Sequence, residues 1–122
     1  MIWRRVANSE LGFELVGSSH TISATAEGSQ NYAATDIGTV RVEQGDLIGI
    51  LWLNENPVPY DQITCTDDNK IYYVHNVQSE DQFSVGNIYT TQILSDSDCR
   101  TYSVQVEIQT SKLHAILHHV KD

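Results

Sequence analysis

Cysteine and proline are both scarce in this 122-residue chain, with two of each: Cys65 and Cys99, Pro57 and Pro59. Basic residues are few as well: seven Lys and Arg stand against sixteen Asp and Glu, a net charge of −9 with histidine neutral. Such a surface repels phosphate backbones and anionic headgroups, so nucleic acid and membrane surfaces are poor partners. No apolar run approaches the roughly 18 residues that span a bilayer, and "MIWRRVANSE" lacks the apolar core of a signal peptide. N-x-Ser/Thr sequons are missing. So are G-x-S-x-G, H-E-x-x-H and phosphate-cradling glycine loops, and only one mid-chain histidine, His75, offers a base. A small hydrolase therefore has no acid–base pair to rest on, and the expectation is a protein that is not an enzyme.

What is present favours strands. The length suffices for one core and is short for two, so residues 1–122 are read as a single domain. The apolar fraction of 40% is that of a globular protein without low-complexity tracts. In "TYSVQVEIQ", Tyr102, Val104, Val106 and Ile108 alternate with polar residues, the period of a strand with one face in the core. "HTISATAEG" and "GTVRVEQGD" repeat the pattern, the second ending in a turn at Gln44-Gly45-Asp46. There Gly45 is free to take positive φ and the Asp46 side chain can cap the turn. "LIGILWL", Leu47 to Leu53, is a continuous apolar run that predicts a strand covered on both faces, with Gly49 marking a bulge or a close backbone approach.

Pro57 and Pro59 predict a surface loop over residues 54–62. "KIYYVHNV" and "NIYTTQIL" are further strands around the polar "QSEDQFSVG". Turn signals every eight to twelve residues are the mark of a sandwich or barrel. The predicted fold is all-β, an antiparallel β-sandwich of jelly-roll type with about eight strands. In "SKLHAILHHVKD", Leu113, Ile116, Leu117 and Val120 have the spacing of a short amphipathic helix, with a last edge strand as the alternative. Residues 111–122 are also read as a tail or the start of a neighbouring segment.

The two cysteines suit one disulfide in an oxidising compartment, while two buried free thiols would suit a reducing one. A Cys65–Cys99 bond would close about 35 residues, worth on the order of 3 to 4 kcal/mol in chain entropy. It would also draw Asp67 and Asp68 towards Asp96 and Asp98. Four carboxylates need either water and separation or a cation, and calcium, with Asn54, Glu55, Asn56 and Asn69 as further oxygen donors, is the candidate. The spacing matches no calcium-loop motif, and plain solvated turns explain the same residues.

Trp52, Tyr60, Tyr72, Tyr73 and Tyr89 are more rings than one core face must hold. Tyr72 and Tyr73 are adjacent, so on a strand they point to opposite faces and one lies outside. Trp52, Tyr60 and Tyr72 are the candidate ligand-binding rings, suited to sugar stacking or a protein interface, against the plainer reading of strand tyrosines with one wet edge. His114 and His118 stand four apart beside His119, a spacing for a weak surface copper or zinc site or simply a solvated tail. His20 and His75 are isolated in strand-like surroundings and are expected to pack there.

"WRRV" at Trp3 to Val6, "FELVGSS" at Phe13 to Ser19, and "VEQGDLIGILW" at Val42 to Trp52 followed by "PVPYD" together resemble a β-sandwich module of extracellular multidomain animal proteins. The resemblance covers roughly residues 2–61. It implies a structural and recognition module on a cell surface or in a matrix. In such modules the first strand begins upstream of the Trp-Arg pair, which implies a lost N-terminal strand or one supplied by a partner, and hence an open edge that favours a homo-oligomer.

These readings converge on a secreted or cell-surface recognition, adhesion or assembly module with a protein or glycan ligand. The alternative is a calcium-dependent carbohydrate-binding, lectin-like module using the acidic loops around Cys65 and Cys99.

Overall fold

The computed structural model describes residues 1–22, 28, 30–33, 35, 38–52, 58–66, 70–74, 76–94, 99–102, 104, 106 and 108. Eight strands lie among them: β1 (Ile2–Arg5), β2 (Gly12–Gly17), β3 (Leu47–Ile48), β4 (Tyr60–Ile63), β5 (Tyr72–Tyr73), β6 (Ile88–Thr90), β7 (Gln92–Ile93) and β8 (Cys99–Tyr102). A 3-10 turn, Glu80–Gln82, precedes β6, and the Gln82 side chain accepts the Ser79 N–H at 3.0 Å. Every strand pair is antiparallel. The architecture is thus all-β, arranged as a four-stranded sheet in the order β3-β1-β2-β6 and two two-stranded sheets, β4-β8 and β5-β7.

The core lies on one face of the four-stranded sheet. Register sets Trp3 opposite Leu15, Arg5 opposite Phe13, and Phe13 opposite Tyr89, which puts these side chains on the same face. Phe13 and Leu15 are fully buried. The Trp3 ring meets Phe83 at 5.7 Å and Tyr89 at 5.8 Å, both edge to face, the geometry that ring quadrupoles favour. Tyr72 tilts against Phe13 at 4.9 Å, and Arg5 caps both rings while donating to the Tyr72 hydroxyl at 3.0 Å. The expectation that one of Tyr72 and Tyr73 lies outside fails: both are half-buried. Tyr73 donates its hydroxyl proton to Gln92 at 3.0 Å across the β5-β7 pair.

On the opposite face Arg4 forms a two-pronged bond with Asp46, at 2.8 and 2.9 Å. Asp46 also accepts the Glu43 N–H at 2.8 Å, closing the turn in which Gly45 has φ +92°. The side chain caps the turn as expected. The approach predicted at Gly49 is also present, since a Cβ there would stand 2.3 Å from Trp3 Nε1. Gly17 serves the same purpose one strand over, where Val40 fills the space a side chain would need.

"NIYTTQIL" divides between two sheets. β6 pairs with β2 and β7 with β5. Buried Thr91 stands at the crossover, where its N–H and hydroxyl both donate to the Leu11 carbonyl at 2.8 and 2.9 Å.

Several expectations are corrected. Over the described residues 47–52 the run is not covered on both faces: Leu47, Ile48, Ile50 and Trp52 are exposed, and Leu47–Ile48 form β3, which among the described strands stands at the end of its sheet beside β1. Conversely β1 is interior, between β3 and β2, so the open edge expected beside the first strand lies at β3 instead. Of the loop expected over residues 54–62, residues 60–62 belong instead to β4, and residues 54–57 lie outside the described residues.

The strand predicted through Ile108 ends at Tyr102, and Val104, Val106 and Ile108 are exposed. One cause is visible: Val104 N–H donates to the Tyr102 carbonyl at 2.9 Å, a bond that turns the chain back on itself instead of extending it. Ile22 is exposed and outside the described strands, the rest of its predicted strand, residues 23–27, lies outside the described residues, and Val40 and Val42 are half-buried and outside the described strands. The predicted C-terminal helix lies outside the described residues.

Candidate functional site

Tyr60 follows Pro59, so it is the first residue after the prolines that can both donate to and accept from a ladder, and it opens β4. Antiparallel pairing sets Tyr60 opposite Tyr102 and Gln62 opposite Arg100. The period-two rule then puts these four side chains on one face of the β4-β8 ribbon, with Asp61, Ile63, Cys99 and Thr101 on the other. Buried Cys99 is bonded to Cys65, with Cα atoms 5.2 Å apart, so a covalent staple closes the end of the ribbon opposite Tyr60 and Tyr102.

The rings form a group. Tyr60 and Tyr102 meet with centroids 5.5 Å apart, and Trp52 reaches Tyr102 at 6.4 Å, both pairs tilted. The Arg100 guanidinium lies over the Tyr60 ring at 4.4 Å. Trp52 is 37% exposed and Tyr60 41%, values that leave aromatic surface open to a ligand. Exposed Gln62 supplies an amide beside the rings. Rigid amphipathic rings flanked by an amide and a guanidinium are the composition of recognition surfaces, where apolar area gives affinity and polar edges fix orientation.

Two of the three predicted ligand-binding residues, Trp52 and Tyr60, therefore share one cluster. The third, Tyr72, belongs elsewhere, packed on Phe13 under Arg5. Sequence reasoning assigned Tyr102 to a core-facing strand and passed over Arg100. The signal was nevertheless present: a Cys65–Cys99 bond between antiparallel strands brings Tyr102 within a residue or two of Tyr60.

Asp67, Asp68, Asp96 and Asp98 lie outside the described residues, as do Asn54, Glu55, Asn56, Asn69, His75, His114, His118 and His119. Among the described residues no three His, Cys, Asp or Glu side chains are grouped to hold an ion. His20 is exposed, its ring against Gly38. No described helix is long and apolar enough to cross a membrane.

Comparison with protein-family models, with curated proteins and with solved structures finds no match for this chain.

Proposed function

We propose that the chain is a non-enzymatic recognition, adhesion or assembly module of an extracellular protein, secreted or on a cell surface, that binds a protein or glycan ligand. The observation that carries this reading is the open Trp52–Tyr102–Tyr60 group on a disulfide-stapled strand pair. A staple of this kind is the chemistry of oxidising compartments. It also holds the rings in place, which reduces the ordering cost of binding. On this reading the antiparallel all-β strands belong to a β-sandwich of jelly-roll type. Screening the chain against arrayed glycans and extracellular-matrix proteins, with Trp52→Ala and Tyr60→Ala in parallel, tests the proposal. A ligand held by the native chain and released by both variants supports it. Binding that is indifferent to both contradicts it.

A second reading, a calcium-dependent carbohydrate-binding module, is favoured by the same bond. It ties together the segments that carry Asp67 and Asp68 on one side and Asp96 and Asp98 on the other. Calcium then organises the acidic loops while Trp52 and Tyr60 stack on a sugar ring. A melting temperature that rises with calcium and falls with chelator supports this reading, by linkage of ligand to stability. Identical melting curves reject it and leave the calcium-free module standing.

A further inference from the structure

We infer that two copies of this chain pair through β3, edge to edge and antiparallel about a two-fold axis at Gly49, joining their four-stranded sheets into one. β3 ends its sheet, and the β1 ladder fixes which way its backbone faces. Gly49 N–H donates to the Met1 carbonyl at 2.9 Å, and the Met1 amine donates back to the Gly49 carbonyl at 3.1 Å. Antiparallel alternation then turns the peptide groups of Leu47 and Gly49 towards β1 and those of Ile48 and Ile50 to the open edge. Among the described residues no hydrogen bond crosses that edge from Ile48 or Ile50. The two residues are 54% and 36% exposed, so polar backbone and apolar surface lie open together. Exposed strand edges of this kind are templates for another strand.

A second copy is the occupant that fits. Leu47-Ile48-Gly49-Ile50-Leu51 reads the same in both directions. A two-fold pairing about Gly49 therefore sets Ile48 opposite Ile50 and Leu47 opposite Leu51, like against like. Cross-strand β-branched pairs of this type stabilise sheets. The axis passes the one residue without a side chain, where the strands approach closely. Two chains of net charge −9 repel each other everywhere except where charge is missing, and the run Leu47 to Leu53 carries none. The carboxylate that borders it, Asp46, is already neutralised by Arg4. This inference does not depend on the aromatic face of the β4-β8 ribbon, and it is read without any ligand.

Sedimentation equilibrium over a dilution series tests it. The native chain is expected to move from its 13.7 kDa mass towards twice that value as concentration rises. Ile48→Lys, which sets a charge on the edge, and Ile50→Pro, which removes an outward N–H that β1 does not use, are each expected to weaken association at least about tenfold. Ile88→Lys on β6 is expected to leave it unchanged. Hydrogen exchange on the native chain needs no variant: the Ile48 and Ile50 amides are protected at high concentration and exposed on dilution. A native chain that stays monomeric, edge amides that exchange freely at every concentration, or a dimer split by Ile88→Lys and not by Ile48→Lys would overturn the inference.

Discussion

Tyr60 and Tyr102 stand directly opposite each other across β4 and β8, with ring centroids 5.5 Å apart and three residue pairs from the Cys65–Cys99 bond. The pair is both a stabilising contact and the centre of the exposed aromatic group. Replacing Tyr102 by Ala is expected to cost about 1 kcal/mol through the lost ring pairing, on top of its lost burial. The same change removes the neighbour that positions Trp52 and Tyr60. Urea denaturation measures the first effect and ligand binding the second. A variant of native stability would show that the rings do not pack as described.

Reduction of the staple has a calculable scale. A sequence separation of 34 between the cysteines corresponds to roughly 4 kcal/mol of chain entropy withheld from the unfolded state. The Cys65→Ser/Cys99→Ser double variant is expected to lose most of it, read as a lower urea midpoint. An unreduced intact-mass measurement that finds two free thiols would remove the basis for this expectation.

Gly49 is filled from outside by the Trp3 indole, 2.3 Å from where a Cβ would stand. Gly49→Ala must push the indole or the strand aside, an overpacking cost of about 1 to 3 kcal/mol. Because Trp3 meets Phe83 and Tyr89, near-ultraviolet circular dichroism should change together with stability. An Ala variant with native spectrum and midpoint would mean that Trp3 does not rest on Gly49.

The Asp46 carboxyl is held below the usual carboxylate range, first by its hydrogen bond from Arg4 and further by the Glu43 N–H, against the opposing effect of burial. A folded-state pKa below the unfolded one contributes stability that is fully present above the ordinary value of about 3.9 and is lost as pH falls through the lower folded value. Denaturant midpoints of the native chain should therefore decline through that acid window. Asp46→Asn should be less stable at neutral pH and show a shallower decline. Equal acid sensitivity of the two proteins would place the titrating group elsewhere.

Much of the fold was legible because local rules act where the chain meets no competition. Strand content, the Gly45-Asp46 turn and the close approach at Gly49 all follow from residue type and short-range geometry. Position in a sheet does not. "LIGILWL" carries the composition of a buried strand, yet among the described strands β3 stands at the end of its sheet, with β1 on one side. "TYSVQVEIQ" alternates cleanly, yet the Val104 N–H bonds back to the Tyr102 carbonyl, and Val104, Val106 and Ile108 are exposed. For the site, Trp52 and Tyr60 could be picked as surplus rings, whereas Tyr102 and Arg100 become visible only once the disulfide fixes the register. Tyr72 was chosen on the same grounds as Tyr60 and is held instead by Phe13 and Arg5, contacts that no spacing rule supplies.

The central claim is that this chain recognises its ligand through the aromatic face of the β4-β8 ribbon. Its most direct test is nuclear magnetic resonance of the native chain titrated with a ligand selected from the glycan and matrix-protein arrays. The expected result is that resonances of Trp52, Tyr60, Gln62, Arg100 and Tyr102 shift together and saturably, while Phe13 and Leu15 in the core do not. Shifts confined to other surfaces, with these five residues unmoved, would contradict it.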